Sequence, residues 1–376
     1  MKTCRVCNGE LKKTIIALEN MPKSAQLFPE KKDLRKEKGI KLSVYQCPYC
    51  GLVQITDKPV SYYKQVIRAT GISEEMQKFR KTQFKNFIKK YNLSNKKILE
   101  VGCGFGEYLS IMNKQKVNVY GIEYSQKAVN HCKKSGLKVS KQFIENEKYK
   151  IKNAPFDAFF IMSYLEHIPN INSFLRGILN NLTDEGIGII EVPNFDMILK
   201  KNLFSEFILD HLFYFTKDTL KTVLSINGFE VLECNSVWHD YILSVVVKKR
   251  KIFDTSYFYK QQKSITKQIN DYIDKFDRKT VVVWGAGHQA LSIISLAKIQ
   301  NKIKFIVDSA EFKQNKFSPA THIPINSPDM LRTEKINAII IMAGSYSKEI
   351  LKNINEKYSK NISIAILKED VFEVIR

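Results

Sequence analysis

Two periods of hydrophobic and polar alternation run along this chain, and the switches between them mark its parts. From Ser73 to Ile88 apolar residues recur at helical spacing (Met76, Phe79, Phe84, Phe87, Ile88), with Ser73 placed as the cap. Between Lys97 and about Lys249 short apolar runs alternate with amphipathic stretches. The runs fall at 97–101, 117–122, 157–162 and 186–192, with later ones near 229–234 and 242–248. This alternation predicts an α/β, Rossmann-like domain with a parallel sheet. Thr216 opens a helix that stops at Gly228. Residues 251–278 are charged and helical in pattern, and read as a connector. A second strand–loop–helix start, Val281 to Ala290, precedes strands at 303–308, near 337–342 and near 362–367. The chain therefore divides into a module at 1–58, a larger α/β domain at 59–250 and a smaller Rossmann-like domain at 251–376.

Composition narrows the partners. A length of 376 residues exceeds what one core usually serves. The formal charge of +22 invites a nucleic-acid reading, but only nine of the 60 basic residues are Arg. Base readout leans on bidentate Arg, and the lysines here are scattered singly. No nucleic-acid partner is expected. There is no run of 18 apolar residues and no apolar signal core after Met1, so no membrane span is expected and the protein reads as cytoplasmic. Its oligomeric state is left open, with a monomer compatible.

In a reducing compartment seven cysteines stay as thiols, which matters for four of them. Cys4-Arg-Val-Cys7 and Cys47-Pro-Tyr-Cys50 are paired knuckles, the spacing of a tetrahedral thiolate site for Zn²⁺. Four thiolates leave no open position, so the metal is structural. Free thiols or a rubredoxin-type iron are the alternatives. The 39 residues between the pairs imply an insertion folded between them.

The chemistry-bearing stretch is Ile98-Leu-Glu-Val-Gly-Cys-Gly-Phe-Gly106, with Glu123 ending the next strand seventeen residues later. Glycine lets backbone approach a ligand closely, and an acid after the second strand can accept ribose hydroxyls. A bare GxGxG is weak evidence. With Glu100 before it, and Phe156 to His167 fifty residues on, the set resembles the S-adenosylmethionine site of Rossmann-like, class I methyltransferases. That resemblance assigns Glu100, Gly102, Gly104, Gly106, Glu123, Tyr124 and Ser163 to the cofactor. For Glu123 the alternative is a solvated strand end, and for the glycines a purely structural turn.

Nearly the whole chain is similar to the nucleotide-sugar C-methyltransferases, which methylate carbon beside the ketone of a 4-keto sugar. The likeness rests on Cys4 to Cys7, Met21-Pro-Lys-Ser-Ala25, Cys47 to Gln54, Leu165-Glu-His-Ile168, Glu191-Val-Pro-Asn194, Gly285-Ala-Gly287, Lys313-Gln-Asn-Lys316 and Pro319 to Ile325. It implies a zinc-binding N-terminal module, an S-adenosylmethionine-dependent domain and a C-terminal domain, with a nucleotide sugar as substrate. It further implies an enolate formed by a His base. The family's Tyr-x-Glu-His stretch reads Ile208-Leu-Asp-His211 here. His211 is then the base, with Asp210 and His167 beside it in the catalytic set. Tyr63, Glu166, Asn194, Tyr214, His239, Gly285, Gly287 and Lys313 are the substrate contacts this likeness implies. Tyr62 and Tyr63 occupy the place of an aromatic lid. For Glu166 a helix N-cap, and for His211 a helix-entry role, are the structural alternatives. Ile208 replaces the family's Tyr outright, and the family's His-Gly-Gly-Ser-Leu-Arg strand reads His239 to Ser244, without glycines or arginine.

Those departures keep other acceptors in view. An oxygen or nitrogen acceptor is the second reading, since hydroxyl methylation can run with a lone His base. A nucleic-acid or protein methyltransferase would need Arg-rich or aromatic stripes, which are missing. A non-enzymatic binding protein would have no reason to keep Asp210 and His211.

Overall fold

The computed structural model describes residues 2–65, 72–358, 360–369 and 371–376. It divides into two compact units, Met1–Lys251 and Ile252–Arg376.

In the first unit three strands, β1 (Thr14–Met21), β2 (Ile40–Gln46) and β3 (Val53–Ile55), form an antiparallel sheet within the cysteine-bearing segment. The insertion between the two knuckles is thus β1, β2 and their connection. A larger sheet is built from β4 (Lys97–Val101), β5 (Asn118–Glu123), β6 (Val139–Lys141), β7 (Phe156–Met162) and β8 (Leu182–Pro193). The two-residue β9 (Phe213–Tyr214) belongs elsewhere: it pairs with β3 and adds a fourth strand to the N-terminal sheet. With β10 (Phe229–Val237) and β11 (Ile242–Lys249), the large sheet runs β10-β11-β8-β7-β4-β5-β6.

The sheet is parallel from β6 to β8, and there the expected topology ends. β11 is antiparallel to both β8 and β10. Four residues link β10 to β11, of which Trp238, His239 and Asp240 all adopt left-handed backbone. So short a link makes a hairpin, whereas a parallel crossover needs a dozen residues or more.

Helix α1 (Glu74–Lys90) is capped as expected, Ser73 Oγ accepting from the Met76 amide at 3.1 Å. Phe84, Phe87 and Ile88 are buried in the same core as Phe160 of β7. Each such side chain contributes about 1.5–3 kcal/mol by leaving water. Arg80 shares that buried face, which hydrophobic periodicity did not anticipate. It is 1 % exposed and pairs at 2.5 Å with Glu191 of β8, which is fully buried.

In the second unit the sheet comprises β12 (Val281–Trp284), β13 (Ile303–Val307), β14 (Lys316–Phe317), β15 (Pro324–Asn326), β16 (Ala338–Ile341), β17 (Ser363–Lys368) and β18 (Val371–Val374), in the order β14-β15-β13-β12-β16-β17-β18. Its five central strands are parallel and the two edges antiparallel. The segment read as a connector supplies a helix, Ser256–Ile273, whose Ile265, Ile269, Tyr272 and Ile273 are buried in this unit's own core. Among the described residues no helix is long and apolar enough to cross a membrane.

Candidate active site and thiolate centre

The glycine loop leaves β4 at its C-terminal end, where ligands of open α/β sheets bind. Gly102 is required there: its φ is +73°, and a Cβ would lie 2.8 Å from the Tyr164 ring. Gly104 and Gly106 continue the left-handed path into a helix, Glu107–Asn113. Glu123 closes the loop from β5. Its carboxylate accepts the Gly104 amide at 3.0 Å and the Ser125 amide at 2.8 Å. Burial pushes its pKa above the ordinary range, against the pull of those two donors. Glu100 is buried at the end of β4. Ser163, with φ 50°, follows β7 and donates its amide to the Glu191 carbonyl at 2.9 Å. Tyr124 stacks edge-on to Phe143 at 6.1 Å, under the Lys64 ammonium.

Beside this loop lies a buried cluster. Leu165–His167 form one 3₁₀ turn after β7, so Glu166 is inside a turn and caps no helix. The Leu212 amide donates to the Glu166 carbonyl at 2.9 Å and thereby docks the Asp210–Leu212 segment. His167 Nδ1 lies 2.7 Å from the carbonyl oxygen of Asp210, and its ring meets His211 edge-on at 4.9 Å. Burial lowers the pKa of both imidazoles, that of His211 to about 3, where neighbouring His167 adds to the effect. Both rings are therefore neutral at physiological pH. Glu166 is fully buried and its pKa is pushed up to about 8.

The Asp210 carboxylate faces the N-terminal module. It takes a hydrogen bond from the Tyr62 phenol, and one from the Ala25 amide at 3.1 Å. The Ala25 and Gln26 amides also donate to the Tyr62 oxygen, at 3.1 and 3.2 Å. Of the two adjacent tyrosines, Tyr62 is thus the one hydrogen-bonded to Asp210. Tyr63 instead packs edge-on against Phe143 at 6.1 Å. Sequence spacing could not separate two adjacent tyrosines. The signal was Met21-Pro-Lys-Ser-Ala25, whose backbone needs an acceptor partner.

Several expected contacts are committed elsewhere. Asn194 caps the following helix through the Asp196 and Met197 amides and donates to the Asp240 carbonyl at 2.7 Å. Its amide is spent on structure. The Tyr214 phenol accepts the Ile208 amide at 2.9 Å and donates to the Ile208 carbonyl at 3.1 Å. It therefore shapes the loop that carries Asp210 and His211. His239 is an exposed hairpin residue 3.5 Å from Glu75. In the second unit the Lys313 ammonium is ion-paired with Asp308 at 2.9 Å. Asp308 also accepts the Ala286 amide at 2.7 Å, within the Gly285–Gly287 loop. Gly285 has φ +115°, and a Cβ there would meet the Met342 carbonyl at 2.6 Å.

The four knuckle thiols converge. Cys4 and Cys50 sulfurs are 3.6 Å apart, and those of Cys7 and Cys47 are 3.4 Å apart. Disulfide sulfurs sit about 2.05 Å apart, whereas sulfurs about 2.3 Å from one tetrahedral Zn²⁺ are separated by roughly 3.8 Å. The spacing fits the metal. A hydrogen bond from Cys50, opposed by burial, pulls the Cys4 thiol down to about 4, and Gln54 Nε2 donates to the same sulfur at 3.1 Å. The donor set is that of a structural zinc site.

Three family profiles match consecutive stretches: a zinc binding domain at residues 4–60, a methyltransferase domain at 72–234 and a C-methyltransferase C-terminal domain at 247–366. The C-methyltransferase NovU of Streptomyces niveus is 21 % identical over 390 residues, covering 94 % of this chain and 92 % of the relative. A ubiquinone biosynthesis O-methyltransferase of Pelagibacter ubique is 32 % identical over 139 residues, 35 % of this chain and 57 % of that protein. Among solved structures, an S-adenosylmethionine-dependent methyltransferase from Clostridium acetobutylicum aligns with TM-score 0.40 and 15 % identity, over 50 % of this chain and 96 % of that one. The PH0226 protein from Pyrococcus horikoshii aligns with TM-score 0.41 and 14 % identity, over 50 % and 98 %.

Proposed function

The chain belongs to the three-domain C-methyltransferases and is an S-adenosylmethionine-dependent methyltransferase with a zinc-binding module, and from that premise we propose that it methylates a carbon beside the ketone of a nucleotide-linked sugar. The observation that carries this reading is the neutral, half-buried His211 ring. Among the described residues it makes no hydrogen bond, and it stands next to the Asp210 backbone and His167. An imidazole with an uncommitted ring nitrogen is a proton acceptor waiting for a partner.

In the proposed reaction His211 removes the acidic C–H beside the ketone. Its electron pair becomes the enolate, whose carbon attacks the sulfonium methyl. The carbon–sulfur bond of the cofactor breaks and neutral S-adenosylhomocysteine leaves. Burial disfavours an isolated imidazolium, but here it forms together with the enolate anion, so the cavity gains no net charge in that step. Glu123 holds the cofactor ribose in this scheme. Asp210, fixed by Tyr62 and Ala25, orients the segment bearing His211 and presents its carbonyl to His167. The zinc keeps the N-terminal sheet in shape and takes no part in the chemistry.

Methyl-labelled cofactor with a panel of nucleotide 4-keto sugars in D₂O tests the reading. Label on carbon, with deuterium exchange before transfer and loss of both in His211→Ala, is expected. Exchange surviving in that variant would overturn the base assignment. A second reading, transfer to a sugar hydroxyl or amine, is favoured by Ile208 at the family's Tyr position. It predicts label on oxygen or nitrogen and no deuterium exchange.

A further inference from the structure

Glu166, His167 and His211 form a second convergent cluster besides the thiolates. Each offers one ligand atom, and these atoms lie within 4.8 Å of one another. Glu166 is 1 % exposed, and among the described residues its Oε2 has no hydrogen-bond partner and no Lys or Arg pairs with it. Its Oε1 is 3.9 Å from His167 Nε2, too long for a hydrogen bond.

The tautomer of His167 sharpens the point. Its Nδ1 is 2.7 Å from a backbone carbonyl, which only accepts, so Nδ1 carries the proton. The Nε2 lone pair is therefore turned toward the Glu166 carboxyl. A backbone carbonyl that takes the N–H of one ring nitrogen is also the arrangement that orients histidines binding a metal through the other.

We propose that Glu166, His167 and His211 bind a divalent transition-metal ion, in a two-nitrogen, one-oxygen site distinct from the thiolate centre. Imidazole and carboxylate together suit zinc, cobalt, nickel or iron(II), and disfavour soft, thiolate-seeking ions such as copper(I). Ligands about 2.0–2.2 Å from such an ion lie roughly 3–3.5 Å apart, so the three side chains close inward by about 1 Å. Occupancy takes the lone pair of His211. The metal-loaded form then lacks its base, a consequence that rests on the proposed role of His211, while the site itself does not.

Co²⁺ titrated into the full-length, zinc-loaded chain tests this. One further equivalent should bind with visible d–d bands and no thiolate-to-cobalt charge-transfer band. Glu166→Gln should weaken that binding by more than about 100-fold, beyond the 10–100-fold typical of outer-shell losses, while keeping one thiolate-bound zinc per chain. His167→Ala should do the same. Uptake only by exchange at the thiolates, marked by the charge-transfer band, would overturn the proposal, as would undiminished binding in Glu166→Gln with its zinc retained. Deuterium exchange into a keto sugar is read in parallel. Cobalt bound at the second site with exchange unchanged would support the site and sink His211 as base.

Discussion

Asp210 accepts the backbone N–H of Ala25 at 3.1 Å, a bond between residues 185 positions apart that ties the cysteine-bearing module to the histidine cluster. The N-terminal sheet is thereby part of the site's architecture, since β9, two residues beyond His211, is its fourth strand. Removing the thiolate metal should loosen this contact while leaving the glycine loop intact. In Cys47→Ser, turnover should fall at least ~10-fold while affinity for S-adenosylmethionine shifts by less than ~3-fold, since the metal's binding energy is folding energy for its own module. Calorimetric cofactor binding beside steady-state rates measures both. An equal loss in the two would refute the division.

Asp210 satisfies the Tyr62 phenol and the Ala25 amide together. Asp210→Ala removes the acceptor of the half-buried Tyr62 phenol, while the Ala25 amide keeps its bond to the Tyr62 oxygen, at a cost of about 0.5–1.5 kcal/mol. Asp210→Asn keeps an acceptor oxygen and should retain most of the stability. Thermal melts of the two variants, with Tyr62→Phe as control, rank the contributions. If Asn proved as damaging as Ala, charge rather than hydrogen bonding would be the decisive factor.

Arg80 and Glu191 form a buried ion pair in the first core, extended by Gln83 Nε2 at 2.5 Å from the same carboxylate. Replacing Arg80 by Met strands a buried carboxylate and should cost about 3–5 kcal/mol. The double variant Arg80→Met, Glu191→Met removes both charges and should recover most of that loss. Urea unfolding of the cycle decides it. Additive losses would mean the two side chains act independently.

Much of this architecture was legible because local signals agreed. The glycine loop, Glu123 and the paired knuckles each carry a backbone or ligand requirement that few residue types meet. What stayed hidden was decided by tertiary pairing. Arg80 sits on an apolar helical stripe because its partner Glu191 arrives from a strand more than a hundred residues later. β9 is two residues long and owes its existence to β3. The β10–β11 reversal depended on three consecutive left-handed residues that carry no glycine. The pairing of Lys313 with Asp308 was likewise invisible in the sequence. Charge alone in a sequence does not reveal whether its partner is a ligand or a neighbour.

Glu123 supplies a pH test of cofactor binding. Burial raises its pKa, and the Ser125 and Gly104 amides oppose the rise without cancelling it. The proposed ribose contact needs the carboxylate, so affinity should fall as acidification passes the raised pKa, at higher pH than for an ordinary carboxyl. The free protein follows the same shift with the sign set by proton uptake. The folded chain holds this proton after the unfolded chain has released it, so its contribution to stability is present below the unfolded pKa and lost as pH rises through the folded one. Glu123→Gln should weaken binding and flatten its pH dependence. An unchanged acid limb in that variant would place the titrating group elsewhere.

In the second unit Asp308 titrates in the opposite sense. Burial pushes its pKa up, but the Ala310 and Ala286 amides and the Lys313 ammonium outweigh it, and the net shift is downward. A depressed carboxyl contributes stability that is present above its unfolded pKa and is lost as pH falls through the folded value. The Gly285–Gly287 loop is clamped by this carboxylate through Ala286. Asp308→Asn should therefore lower the melting temperature at neutral pH, with the deficit shrinking below about pH 4, the ordinary carboxylate range. Backbone amide exchange at Ala286 gives the local readout and should quicken in the variant. A melting deficit that stayed constant into acid would mean that packing of the Asp308 side chain, rather than its charge, holds the loop.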